Sequence, residues 1–131
     1  MANARLFQFR YSHERDLVDV MLKVSIGAAG APTIVNGKGV TSITRNSTGK
    51  YTIVLKDNYN VLMAAQVQTI CPAPGPAAPQ ASITSETVTT TRTVVLQMAS
   101  ATAAGDTTLV AKDPASGDVL MIHLTMRNAS T

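Results

Sequence analysis

From Gly39 to Val67 the chain reads GVTSITRNSTGKYTIVLKDNYNVLMAAQV, and the spacing of its apolar residues leaves little choice of local structure. Tyr51, Ile53 and Leu55 alternate with Thr52, Val54 and Lys56. A period of two puts alternate side chains on opposite faces of a strand, so this run can show one apolar face to a core. A second strand-like run, Val40 to Arg45, precedes it across Asn46-Ser47-Thr48-Gly49. That loop is short and polar and ends in glycine, the residue that most easily takes a positive φ, so a hairpin is predicted. Asp57-Asn58-Tyr59-Asn60 then breaks the alternation. Asp57 is expected to cap a single helical turn reaching about Leu62, its carboxylate accepting from free amide hydrogens. Met63 to Ile70 returns to a strand.

The same period recurs through the rest of the chain. Ala4 to Tyr11 sets Phe7, Phe9 and Tyr11 against Leu6, Gln8 and Arg10. Leu17 to Ile26 offers a helical stripe through Leu17, Val18, Met21 and Leu22, but Val18, Val20, Leu22, Val24 and Ile26 alternate. Four of those five are β-branched, and such side chains lose rotamer freedom in helices and suit pleated surfaces, so a strand is predicted. Thr33 to Val35 is a short strand before the turn dipeptide Asn36-Gly37. Gln80 to Glu86 and Arg92 to Ser100 flank a threonine-rich tract, Thr87 to Thr91. In the second run Val94, Leu96 and Met98 face one way. Thr107 to Ala111 is an edge-strand candidate, and Asp113 to Gly117 a sharp turn. In the run Asp118 to Asn128, Leu120, Ile122, Leu124 and Met126 oppose Met121, His123 and Thr125. Between Cys71 and Pro79 stand four prolines in nine residues, which cannot join a sheet interior and favour an extended arm. The expected architecture is all-β: a single-domain antiparallel β-sandwich or jelly roll of about eight strands with a proline-rich arm at 71–79.

The chain has 131 residues, which suits one domain with a core of its own. Charged residues are only 15%, against a usual ~25%. Free monomers keep solvent-facing charge for solubility, so threonine, serine, asparagine and glutamine in its place suggest a surface largely covered by partners. The net charge of +3 comes from 11 basic and 8 acidic residues scattered along the chain. No basic run resembles a nucleic-acid tail, and no specific nucleic-acid binding is expected. One cysteine, Cys71, precludes an intrachain disulfide. The opening MANARLFQFRYSHERD lacks an apolar core segment, so no secretory leader is expected. No apolar stretch reaches ~18 residues, so no membrane partner is expected. A reducing cytoplasm is the expected place of synthesis.

Reactive constellations are scarce. His13 lies near Glu14 and Asp16, but the spacing matches no set of three or four converging metal ligands. His123 falls on the non-core side of its strand and reads as a surface or interface residue. No G-x-S-x-G elbow occurs. Gly49-Lys50 resembles the end of a phosphate loop, yet Thr44 stands where the first glycine is needed and Tyr51 where serine or threonine is needed. Cys71 has no base beside it and reads as a plain thiol. Asp57, Asn58 and Asn60 lack the glycine and glutamate of a calcium loop. Phe7 and Phe9 read as core. Tyr59 is the one candidate for an exposed stacking platform, the alternative being a packed tyrosine with a bonded hydroxyl. No catalytic residue, cofactor or metal is predicted, and the chain reads as a non-enzyme.

Three segments carry a resemblance: ARLFQFRYS at the start, GVTSITRNSTGKYTIVLKDNYNVLM from Gly39 to Met63, and DPASGDVLMIHLTMRNAST from Asp113 to Thr131. Together they resemble small virion proteins of tailed bacteriophages, most like a head decoration, or cement, protein. The resemblance implies a β-rich protein on the outside of an icosahedral shell, assembled in the bacterial cytoplasm and resident in the virion. The implied partners are the major capsid protein and the chain itself, as a dimer or trimer at a capsid symmetry axis. Residues expected to reach partners are Phe9, Arg10 and Tyr11, Tyr59, Pro72, Pro74 and Pro76 of the arm, and Arg127 and Asn128 of the tail. The alternative is a tail, fibre or host-glycan-binding virion module.

Overall fold

The computed structural model describes residues 17–72 and 79–128. Nine strands are found among them: β1 (Leu17–Ile26), β2 (Pro32–Gly37), β3 (Val40–Ser47), β4 (Lys50–Leu55), β5 (Val61–Ile70), β6 (Gln80–Thr87), β7 (Thr93–Ser100), β8 (Val110–Ala111) and β9 (Val119–Arg127). The one helical element among the described residues is a three-residue 3-10 turn, Ala28–Gly30, between β1 and β2. The strands form two antiparallel sheets. The first has four strands in the order β2-β1-β9-β5. The second has five, in the order β3-β4-β7-β6 with β8 added to β7.

The alternation read from the sequence becomes the core. Val20, Leu22, Val24 and Ile26 of β1 and Leu120, Ile122, Leu124 and Met126 of β9 point inward from the first sheet. Tyr51, Ile53 and Leu55 of β4 and Val94, Leu96 and Met98 of β7 meet them from the second, all fully buried. Burying each such side chain contributes roughly 1.5–3 kcal/mol, and both sheets draw on one hydrophobic cluster. Within the first sheet β9 is the spine. It pairs with β1 from Leu17 opposite Arg127 to Ser25 opposite Val119, and with β5 on its other side. The predicted hairpin is β3–β4, with Ser47 opposite Lys50 and Gly49 at φ +69° in the turn.

One expectation changes. No helical turn follows Asp57. Tyr59 N donates to Val88 O and Asn60 N to Arg127 O, so these amides are bound to distant backbone and are not free for a cap. β5 accordingly starts at Val61, two residues before the predicted strand. Val88, within the threonine-rich tract, is fully buried. The expected strand at Ala4 to Tyr11 lies outside the described residues.

Candidate functional site

The largest polar cluster sits where three connections meet at one end of the molecule. Arg45 on β3 makes a two-pronged contact with Asp113, Nε to Oδ1 at 2.9 Å and Nη2 to Oδ2 at 2.7 Å. The Gly49 amide also donates to Asp113 Oδ1, at 2.8 Å. The Tyr51 hydroxyl donates to Gly30 O at 2.8 Å and stands 3.3 Å from Asp113 Oδ1. Bidentate, charge-assisted pairs of this kind are among the stronger hydrogen bonds in proteins. The Arg45 hydrogen bond holds the Asp113 carboxyl below its ordinary range against the opposing effect of burial, and the Gly49 amide adds to the lowering. Burial, reinforced by the Asp113 charge, pushes the Tyr51 hydroxyl up to about 12. Gly49 fits because it has no side chain: a Cβ there would lie 2.3 Å from Met98 O. The cluster ties the β1–β2 turn, the β3–β4 hairpin and the segment before β9 together. The side chains of Arg45, Tyr51 and Asp113 all hydrogen-bond within it, and the cluster acts as a latch.

The outer faces of the two sheets differ in kind. On the four-stranded sheet stand Leu17 and Met21 from β1, Met121 from β9 and Ile70 from β5, all exposed. Val35 and Met63 project at the bulges of β2 and β5 and are exposed as well. A groove of about 490 Å³ runs over this face, bordered by Met21, Lys23, Gln66, Gln68, Met121 and His123. Beside it, Asp19 Oδ1 accepts from Thr125 Oγ1 at 2.7 Å and lies 3.1 Å from His123 Nε2. The three residue types are those of a nucleophilic relay, but the order is not. In a relay the imidazole stands between hydroxyl and carboxylate. Here the threonine proton goes directly to Asp19, and His123 binds the same oxygen, which fixes all three on the face.

Other candidate chemistry resolves locally. The Cys71 thiol is 3.8 Å from Asp118 Oδ2. Burial and then the Asp118 charge raise its pKa, which leaves it a weaker nucleophile than a free thiol. No group of three or more histidine, cysteine, aspartate or glutamate residues able to hold a metal occurs among the described residues. No helix among them is long and apolar enough to cross a membrane.

Of the residues predicted to meet partners, four are described, Tyr59, Pro72, Arg127 and Asn128, and these four do not form one site. Tyr59 is a correction: it is 6% exposed and belongs to the core, so it offers no stacking platform. The chain bends inward there because its backbone is bonded to Val88, and burial raises its hydroxyl pKa. Pro72 is exposed just past the end of β5. Arg127 ends β9 opposite Val61, and exposed Asn128 follows it. Pro72 and Arg127 are therefore at opposite ends of the first sheet, roughly 25–30 Å apart at ~3.3 Å per strand residue. Phe9, Arg10, Tyr11, Pro74 and Pro76 lie outside the described residues. The apolar outer face was half legible in the sequence, since Met121, His123 and Thr125 were assigned to the non-core side of β9. Its extension over β1 and β5 was not assigned. Comparisons with protein families, curated proteins and solved structures find no match for this chain.

Proposed function

We propose that this chain is a structural virion protein of a tailed bacteriophage, one that binds the outer capsid surface and clamps neighbouring major capsid subunits around the packaged DNA. The observation that carries the reading is the apolar outer face of the four-stranded sheet. Large exposed apolar patches on a folded domain mark interaction surfaces, because leaving them in water is unfavourable. Six large apolar side chains stand on that face or at its bulges, whereas in the strands of the other sheet only Val110, on the two-residue β8, is a large apolar side chain that is exposed. A rigid β scaffold with one adhesive side suits a protein whose product is an interface. Several weak contacts made together by one oligomer would dissociate slowly. The reading needs two packed sheets but not a jelly roll in particular, since hairpins β1–β2, β3–β4 and β6–β7 keep consecutive strands in one sheet. Among the described residues both tyrosines, Tyr51 and Tyr59, are buried and offer no platform for the glycan-binding alternative.

The test is a comparison of heads assembled with and without the protein. Heads lacking it are expected to release DNA at lower temperature, and purified protein added back should restore heat resistance. Equally heat-resistant full heads in its absence would overturn the proposal. Copies seen at the tail or neck instead of over the shell would favour the tail alternative.

A further inference from the structure

The four-stranded sheet has the edge strands β2 and β5 and the five-stranded sheet β3, β6 and the two-residue β8, and an unguarded edge is a template for pairing with another chain. Four of these five edges are guarded or, for β8, too short to serve. β2 is six residues long, begins with Pro32 and is bulged. β3 carries Arg45 and two irregularities of register. β6 carries Glu86 and a bulge between Ile83 and Ser85. β5 differs. It is ten residues long, VLMAAQVQTI, with no charge and no proline. Its single bulge falls between Leu62 and Ala64, so Ala64 to Ile70 forms a regular run. Among the described residues it pairs only with β9. Ala64, Gln66, Gln68 and Ile70 are all exposed along it.

We infer that the free edge of β5 pairs with β5 of a second copy of this chain, across a two-fold axis at Val67, to make one continuous sheet of eight strands. An antiparallel pair of identical strands satisfies two-fold symmetry by construction, since each residue contact occurs twice. The regular run is centred on Val67, which sets the register. Gln66 then lies opposite the partner's Gln68, and Ala64 opposite the partner's Ile70. Residues directly opposite share a face, so the glutamine amides meet on the outer side and can bond to each other. The absence of charge matters at an axis, where any charge would meet its own copy. Pairing also joins the two apolar outer faces edge to edge, doubling the surface available to a larger partner. The inference concerns the free protein and does not rest on the capsid reading.

Sedimentation of the purified full chain across a wide concentration range tests it. The wild type is expected to dimerise, with slow hydrogen exchange at the amides of 64–70. The double variant Gln66→Lys/Gln68→Lys places four like charges at the axis on exposed positions, and should raise the dimer dissociation constant at least about tenfold. Gln66→Glu/Gln68→Glu should do the same, while an equimolar mixture of the two should dimerise again. Circular dichroism checks that both variants fold. A monomeric wild type overturns the inference. If that monomer still protects the alternate amides of 64–70 that do not bond to β9, the edge is covered by residues of its own chain. A dimer indifferent to both double variants overturns it as well. A dimeric wild type whose absence leaves heads equally heat-resistant would instead tell against the capsid proposal alone.

Discussion

The two sheets contribute almost interchangeably to the interior and oppositely to the exterior. β1 and β9 bury valine, leucine, isoleucine and methionine at every second position, as β4 and β7 do. Outward, the four-stranded sheet shows Leu17, Met21, Ile70 and Met121 with the Asp19–His123–Thr125 cluster. The five-stranded sheet shows Ser42, Thr44, Thr52, Ser82 and Gln97, with Val54 and Val95 half-buried among them. Hydroxyl and amide groups keep their hydrogen bonds to water or to each other at little cost, whereas exposed methionine and isoleucine gain by being covered. One face is thus content in solvent and the other calls for a partner. Methionine suits such a face because its flexible thioether side chain adapts to an irregular surface.

The comparison assumes a scaffold that holds both faces at once, and the largest expected effect tests that assumption. Gly49→Ala forces a Cβ against backbone at φ +69° and should destabilise the fold by about 3 kcal/mol or more, read as a lower urea midpoint. Both faces should fail together. A variant of wild-type stability would show that the hairpin can move away from Met98.

Next in size is Asp113→Asn, which keeps the shape of the latch and removes its charge, at an expected cost of about 2 kcal/mol. Its pH dependence follows from the sign of the shift. The folded-state pKa of Asp113 is depressed, so its stabilisation is present above the ordinary carboxyl value of 3.8 and is lost as pH falls through the folded value. Tyr51 works from the other side. Its pKa is raised from 10.0 to about 12, so stability should decline as pH rises through that window. Thermal melts should therefore be flattest at intermediate pH, and Asp113→Asn should lose the acid limb more than the alkaline one. An unchanged acid limb would assign acid unfolding to other carboxylates.

Smaller in stability but sharper for the comparison are single lysines on each face. Met21→Lys and Thr44→Lys both sit on exposed outward positions and should each change stability by no more than about 0.5 kcal/mol. On the functional proposal, Met21→Lys weakens binding to heads that lack the protein and Thr44→Lys does not. Equal effects would erase the distinction between the faces. Smallest is Ser100→Ala. The Ser100 hydroxyl is buried with no hydrogen-bond partner among the described residues, so its removal should be neutral or slightly stabilising in the same denaturation assay.

Much of this fold could be read from period alone. The buried residues of β1, β4, β7 and β9 fall at the predicted alternate positions, because a strand with one wet and one dry face must alternate. The failures are those where the deciding partner is distant. Asp57 looked like a cap, but the amides it would have served, those of Tyr59 and Asn60, are claimed by Val88 and Arg127. Asp113 looked like the start of a turn, and nothing local says that Arg45, 68 positions away, will grip it. A buried tyrosine does need a partner for its hydroxyl, which was a reason to look for acceptors around Tyr51. The apolar outer face was obscured on β5, whose residues VLMAAQV alternate poorly and whose bulge at Met63 inverts the pattern midway. The pairing of Cys71 with Asp118 was equally out of reach, since it joins the ends of two different strands.

The position of β9 has a consequence in time. It is the last described strand to leave the ribosome, yet β1 and β5 meet only through it. Until residues 119–127 are made, β1 has only β2 beside it and β5 has no neighbour in its sheet. Closing pairs as remote as Leu17 and Arg127 carries a large loop-closure entropy and belongs to slow, non-local folding. The apolar outer face therefore comes into existence only once residues 119–127 have been made, and a nascent chain cannot present it earlier.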